Sequence, residues 1–416
     1  MQCPARWGPS GYGRKIVGKH FVNMTPTAKA HGMDGTLVPP DWPPLTLDEV
    51  RTLLARFPAL GRPERILTES PRPFSAAGVL ATTKDPVFIK RHHQSVRDRE
   101  GLLDEHRFLA HLLAHGAPVP RVVASAAGET AIELGDSIYE VHEIPEGVDL
   151  YEEAISWTPF RTVAHAHSAG QALARLHLAA RDFAAPPRKP RPLVASFTIF
   201  AARDPIAAMA RYLGRRLSLA RHAAVRVCAA QALDLLTPFQ AELAPLLPAL
   251  APLWTHNDLH ASNLFWSDQS PDASATAIID FGLADRTNAV HDLAHAIERN
   301  IVEWLALVND PAHPDDVPTH LDHLDALLDG YESIRPLTQE EAAALVPMTA
   351  LCHAEFALSE ADYFLGVLHS EEKAVAAYDG WLVGHARWFL GDAGRKLLDA
   401  LRLRAKARNP RGVARR

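Results

Sequence analysis

The stretch from Trp254 to Gly282 constrains this chain more than any other part of it. Two short apolar, β-like runs, residues 263–267 and 276–279, are separated by a turn at 268–273 that carries Asp, Ser and Pro. That is the pattern of a hairpin. Polar residues bracket it in a fixed order: His256, Asp258, His260 and Asn263 lead into the first run, and Asp280, Phe281 and Gly282 follow the second. A hairpin returns its outer ends to one rim, so two carboxylates and an amide are brought together on loops.

The chemistry that uses such a group is phosphoryl transfer, which asks for positioning and charge neutralisation more than for covalent chemistry. The first segment fits H-x-D-x-x-x-x-N and the second is D-F-G, the catalytic-loop and metal-loop signatures of protein-kinase-like phosphotransferases. Asp258 is placed to orient an attacking hydroxyl and accept its proton. Hard Mg²⁺ ions take oxygen ligands, and Asp280 offers a carboxylate while Asn263 offers a neutral amide oxygen. Gly282 is read as permitting a backbone conformation closed to most residues. Upstream, Val87-Phe-Ile-Lys90 resembles the V-A-I-K strand whose lysine grips nucleotide phosphates. Glu105, in the helix that follows, is the candidate ion-pair partner of Lys90, in competition with Glu100 and Asp104.

Composition removes other classes. The 416 residues carry 43 Lys and Arg against 49 Asp and Glu, a formal net charge of -6, which disfavours a dedicated nucleic-acid binder. Three cysteines far apart in sequence suit a reducing cytoplasm better than a disulfide scaffold. No apolar run approaches the roughly 18 residues of a membrane span. Residues 1–44, rich in Pro and Gly, read as a flexible arm, with Met24 and Met33 as alternative starts. Residues 45–147 form a small α+β unit: a short helix opened by a Thr46/Glu49 capping box, strands at 65–69, 77–82 and 87–91, a helix at 97–115, and strands at 121–125 and 137–144. Residues 148–400 read as mostly helical, with helices at 162–181, 203–222, 223–244, 289–308, 318–332, 338–368 and 373–406. Residues 401–416 read as a basic, frayed tail.

With His256, Asp258, Leu259, His260, Asn263, Ile279, Asp280 and Gly282 in this order, the chain resembles the aminoglycoside phosphotransferase and choline kinase-like family, from about Ile66 to Trp388. Glu105-His-Arg-Phe-Leu, Pro118-Val-Pro120 and Ala172-Leu-Ala-Arg-Leu-His177 resemble further family passages. The resemblance implies a protein-kinase-like, two-lobed α+β fold, with a small antiparallel-sheet lobe hinged to a larger helical lobe. It also implies ATP and Mg²⁺ as cofactors and a small-molecule hydroxyl as acceptor. Glu143 and Ile144 would lie at the hinge that meets the adenine. Asp292 resembles a family acid that braces the catalytic loop. Asn257 stands where the family usually has Gly, and Ala261-Ser262 replaces a common Pro-Gly. No G-x-G-x-x-G precedes Lys90, so Ser75 and its surrounding backbone are the candidate phosphate contacts.

After Gly282 there is no A-P-E segment and no long activation loop, which favours a small acceptor over a peptide. Two rival readings are a protein Ser/Thr kinase of this fold and a catalytically silent nucleotide-binding module. His256 and His260 are expected to brace the loop by hydrogen bonds. The 22 histidines have no Cys partners in motif spacing, so no zinc site is expected. Glu298, Glu303, Glu355, Glu360 and Asp362 could line an acceptor pocket for a cationic substrate, although an ordinary solvated position is the expectation for any one of them.

Overall fold

The structure, a computed structural model, describes residues 30–32, 35–310 and 312–408. In the small lobe, β1 (Ala30–His31) pairs with β2 (Leu37–Val38), and α1 (Leu47–Leu54) follows. Thr46 caps α1, with Glu49 closing the reciprocal capping box. Next come β3 (Pro63–Glu69), β4 (Ala76–Thr82), β5 (Val87–His93), α2 (Arg99–Ala114), β6 (Ile132–Leu134) and β7 (Ser137–Glu143). The strands form one antiparallel sheet in the order β3-β4-β5-β7-β6. Alternate apolar residues of the sheet, including Leu80, Ile89 and Val141, pack with Leu53, Leu54 and Phe57 beneath α1 as a separate small core. Residues 121–125, expected as a strand, contribute only an isolated bridge from Val122 to His142. Pro118 and Pro120 just before them lack the N–H groups a ladder needs.

The large lobe opens with α3 (Val163–Ala179), α4 (Pro205–Gly214), α5 (Leu217–Arg221) and α6 (Ala223–Leu243). Four short strands then form two antiparallel pairs: β8 (Pro252–Thr255) with β11 (Asp285–Asn288), and β9 (Leu264–Trp266) with β10 (Ala275–Ile278). The helices α7 (Ala289–Ile301), α8 (Trp304–Asn309), α9 (Leu321–Ile334), α10 (Gln339–Leu351), α11 (His353–Gly366), α12 (Glu371–Val375), α13 (His385–Leu390) and α14 (Asp392–Ala407) complete it, with a π-helical stretch at Ala376–Gly384. The expected helices 203–222, 289–308 and 338–368 are each divided in two. The joined α10–α11 segment, Gln339–Gly366, is apolar and long enough to cross a membrane, yet 94% of its most apolar window is buried. It is a core helix pair of this lobe.

Both expected tails are tied down in their described parts. Trp42 stacks on His93 of the small lobe at 4.9 Å and donates through Nε1 to Tyr363 Oη of the large lobe at 3.0 Å. Asp41 pairs with Lys373. Residues 41–42 thus link the two lobes; residues 1–29, 33 and 34 of the expected arm lie outside the described residues. At the other end, Arg402 and Arg404 are ion-paired on α14 with Glu242, Asp325 and Asp329. The helix therefore extends beyond the boundary set for a frayed tail.

The lobes are joined through residues 144–150. Gly147 has φ +114°, and a Cβ there would lie 2.4 Å from the Trp266 carbonyl oxygen. Val148 exchanges backbone hydrogen bonds with Trp266 beside it, at 2.8 and 2.9 Å. Gly147→Ala is expected to cost about 1–3 kcal/mol, because both the positive φ and the close approach are closed to alanine. An unchanged urea midpoint in that variant would show that the hinge yields without strain.

Candidate active site

The site grows from the two strand pairs. The loop between β8 and β9 carries residues 256–263, and the loop between β10 and β11 carries residues 279–284, so both emerge at one rim. Asn257 and Asp280 take positive φ values of 60° and 58°. Asn and Asp tolerate this region better than most residues, which accounts for Asn257 at the position where the family resemblance led to an expectation of Gly. Asp292, buried in the first turn of α7, accepts from the backbone N–H of His256 (2.8 Å) and of Asn257 (2.7 Å), and lies 3.0 Å from His177 Nε2. His256 Nε2 meets the Ile279 carbonyl at 2.9 Å, and its Nδ1 accepts from the Asp258 N–H at 3.1 Å. Asp292 and His256 therefore hold the two loops together.

On that brace the reactive side chains converge. Lys90 reaches from β5 to donate to Asp280 Oδ1 at 2.8 Å. Burial works against both charges, but each is favoured by the other: the Asp280 carboxyl is held well below the usual range and the Lys90 ammonium above it. Asn263 donates through Nδ2 to the Asp258 carbonyl (2.9 Å) and to Asp258 Oδ2 (3.3 Å), which leaves its amide oxygen as the remaining donor atom. Arg299 Nη1 lies 2.5 Å from Asp258 Oδ1 as an ion contact rather than an aligned hydrogen bond. Burial raises the Asp258 pKa above the ordinary value; Arg299 and His256 oppose that shift and Asp280 reinforces it. Lys90, Asp258, Asn263 and Asp280 line one cleft between the lobes, together with Arg72, Ser75, Arg97, Trp157, Leu193, Arg299 and Phe356.

Several expectations change. Glu105 does not pair with Lys90. Its Oε2 accepts from Arg188 Nη2 at 3.1 Å, and Arg188 Nη1 donates to the Gly282 and Ala284 carbonyls at 2.9 and 3.0 Å. The physical reason is that Arg188, on the loop after α3, takes up the buried carboxylate and ties α2 to the loop that carries Asp280. Across the strands from Lys90 stands Glu140, whose carboxylate is held by His92, His106 and His142. Gly282 is not in the positive-φ region. Its lack of a Cβ instead gives room, since one would come within 3.2 Å of Asp280 Oδ1 and 3.4 Å of Arg97 Nη2. Ser75 lies on the cleft wall, whereas Glu143 and Ile144 lie at the inter-lobe link without lining the cleft.

None of the five carboxylates expected near an acceptor lines the cleft. Glu298, Glu355, Glu360 and Asp362 are buried. Glu355 is spent on the hydroxyls of Ser196 and Thr198 and the backbone N–H groups of Thr198 and Ile199. Arg72 and Arg299 were not singled out by sequence. Arg72 bridges the lobes, donating to Ser156 Oγ at 2.9 Å and to the Ala154 carbonyl at 3.3 Å. Arg299 sits seven residues after Asp292 on the same helix face, a spacing that could have exposed it.

A sheet lobe and a helical lobe enclosing a lysine, two aspartates and an asparagine in one cleft have the architecture of a kinase-like phosphotransferase. The chain belongs to the phosphotransferase enzyme family, whose model matches residues 69–337. A homoserine kinase of Rhodospirillum rubrum is 28% identical over 246 residues, 57% of this chain and 61% of that protein. The match therefore spans less than two thirds of that relative's length. Among solved structures, a microcompartment-associated aminopropanol kinase superposes with a TM-score of 0.53 at 17% identity, covering 84% of this chain and 99% of that one. An amicoumacin kinase in complex with AMP-PNP and Ca²⁺ gives 0.50 at 16% identity, covering 81% and 93%. The fold is protein-kinase-like, as the sequence resemblance implied.

Proposed function

We propose that the chain transfers the γ-phosphate of ATP to the hydroxyl of a small acceptor, and that this acceptor carries a carboxylate, as homoserine does. The meeting of Lys90, Asp258, Asn263 and Asp280 in one inter-lobe cleft supports the kinase reading. Asp258 would take the acceptor's proton as its oxygen bonds to the γ-phosphorus and the bond to ADP breaks. Lys90 and Arg72 are the cations placed for the phosphates. Asp280 and the Asn263 amide oxygen fit Mg²⁺, because both are hard oxygen donors and Asp280 is held ionised. The ion would supply charge neutralisation for the phosphates. The absence of an A-P-E segment argues against a peptide acceptor, and retention of all three polar catalytic residues argues against a silent module.

The acceptor class is argued from charge. Arg72, Lys90, Arg97 and Arg299 line the cleft against only Asp258 and Asp280 as carboxylates. A polycationic aminoglycoside would find no acid there beyond the reacting pair. Arg299 Nη2 is buried with no hydrogen-bond partner among the described residues. A spare guanidinium N–H beside Asp258 is a ready donor for an acceptor carboxylate. The test compares homoserine with 3-aminopropanol, which differs by that carboxylate, by ADP release with Mg-ATP. Homoserine is expected to be favoured about 10–100-fold in kcat/KM, the worth of one charge-assisted hydrogen bond. Arg299→Met is expected to erase that preference. Equal rates for the pair, or preferred turnover of aminoglycosides, would sink the acceptor assignment; no turnover and no Mg-ATP binding would sink the kinase.

A further inference from the structure

We propose that the large lobe holds a structural divalent ion of the zinc class, ligated by His295 and Glu298 of α7 and by Cys352 at the α10–α11 joint. Ligand atoms of His295, Glu298 and Cys352 all lie within 4.8 Å of one another, and so do those of Glu298, His353 and His385. Glu298 belongs to both groups. All five side chains are buried. Neither ring nitrogen of His295 nor Oε2 of Glu298 has a hydrogen-bond partner among the described residues, whereas His353 Nδ1 lies 3.5 Å from Glu298 Oε1.

That pattern is hard to explain without a ligand. A neutral imidazole carries one N–H and one lone pair, and the buried His295 ring leaves both idle, where buried polar groups are normally satisfied. A bound cation uses a lone pair of that ring, the Cys352 sulfur and the free carboxylate oxygen together. Glu298 is already oriented for it: His385 Nε2 lies 3.1 Å from its Oε1, an outer hydrogen bond of the kind that fixes ligating carboxylates. A second cluster in the small lobe shows the contrast. There His92, His106 and His142 each place Nε2 within 2.8–2.9 Å of a Glu140 oxygen, and ordinary hydrogen bonds account for the contacts.

The donor set selects the metal. Imidazole, thiolate and carboxylate suit zinc, whereas Mg²⁺ takes oxygens alone. Atoms about a tetrahedral zinc lie on the order of 3.5 Å apart, so small side-chain rotations close the shell. His295 and Glu298 are three apart on one helical face and Cys352 comes from the distant α10–α11 joint; His291 and His295 form an H-x-x-x-H pair, but no Cys stands in motif spacing with it. That is why the linear reading missed it. The ion would fasten α7 to the α10–α11 joint. Since α7 also carries Asp292 and Arg299, the fastening positions both against the catalytic loop.

The test uses the full chain with any affinity tag removed, dialysed against a mild chelator. Elemental analysis is expected to give a single equivalent of zinc per chain, and Co²⁺ substitution is expected to give a thiolate-to-cobalt charge-transfer band with tetrahedral visible bands. Cys352→Ser should abolish the charge-transfer band, and His295→Gln should lower zinc content severalfold and lower Tm. Asp280→Asn, at the separate oxygen site, should retain full zinc. Three results would overturn the proposal: chain purified from zinc-supplemented cells with no zinc and no Tm rise on adding it, a cobalt spectrum without a thiolate band, or full zinc retention in the doubly substituted Cys352→Ser/His295→Gln chain, which would mark an adventitious surface ion only.

Discussion

Asp258→Ala is expected to lower kcat by about 10²–10⁴-fold, the span that a positioned proton acceptor contributes, while leaving Mg-ATP affinity nearly unchanged. The split follows from which atoms Asp258 touches. Its carboxylate meets Asn263 Nδ2 and Arg299 Nη1, not Lys90. The Lys90–Asp280 pair that would receive the phosphates stays whole in the variant. On stability two effects oppose each other: the variant sheds a charge that burial disfavours, but leaves Arg299, 2.5 Å from it, as an uncompensated buried cation. Burial raises the Asp258 pKa, so the fold disfavours its charge, as is common where function is bought with stability. The same shift fixes a pH dependence. The group works as a base only when ionised, so kcat/KM should fall on the acid side through a pKa above the ordinary value of about 3.9. Nucleotide binding, read by fluorescence or calorimetry beside ADP release, checks the split. Loss of both together would move Asp258 from proton transfer to nucleotide binding, and unchanged kcat would defeat the mechanism.

How far the sequence carried depends on whether a residue acts with its chain neighbours or across the fold. Asp258, Asn263 and Asp280 were legible because a hairpin converts their separation into adjacency, and Lys90 because its strand type and order match. Strands β8 and β11 were missed. They are short, and what defines them is their pairing with each other across the inner hairpin rather than alternation of their own. The error on Glu105 has a similar origin. It was sought in the helix after the Lys90 strand and is buried there, but its partner Arg188 comes from an irregular loop after α3, and no local pattern announces such a pairing. The five acids offered for an acceptor pocket, each expected at an ordinary solvated position, went astray differently. Charge alone suggested solvent, whereas Glu298, Glu355 and Glu360 sit on helices buried on nearly every side. Such helices are apolar almost all round, so their polar residues stand out as charges without saying that they are enclosed.

Asp292→Ala should behave in the opposite way, losing stability and activity together. The carboxylate is wholly buried and serves the backbone N–H groups of His256 and Asn257 through separate oxygens while lying against His177 Nε2. Its removal strands two backbone donors and an imidazole, for a loss of about 3–5 kcal/mol, the range seen when one member of a buried charged pair is taken away. Although burial alone would raise its pKa, contacts with His177 and His256 bring it below the ordinary value. A carboxyl that titrates lower in the folded chain stabilises fully above the unfolded value, about 3.9. That contribution is lost as the pH falls through the folded value, so the gap between parent and variant should close only in strong acid. Asn257, held at φ 60° by this brace, is free to relax in the variant, and Asp258 follows it in the chain. The kcat should therefore fall even where the variant remains folded. Asp292→Asn, which keeps one acceptor oxygen, should lie between parent and alanine in both measurements. Urea midpoints and kcat at a temperature where every variant is folded decide the matter: an unchanged midpoint would show that the buried donors find other partners, and a lowered midpoint with parental kcat would show that the loop holds its reactive shape without Asp292.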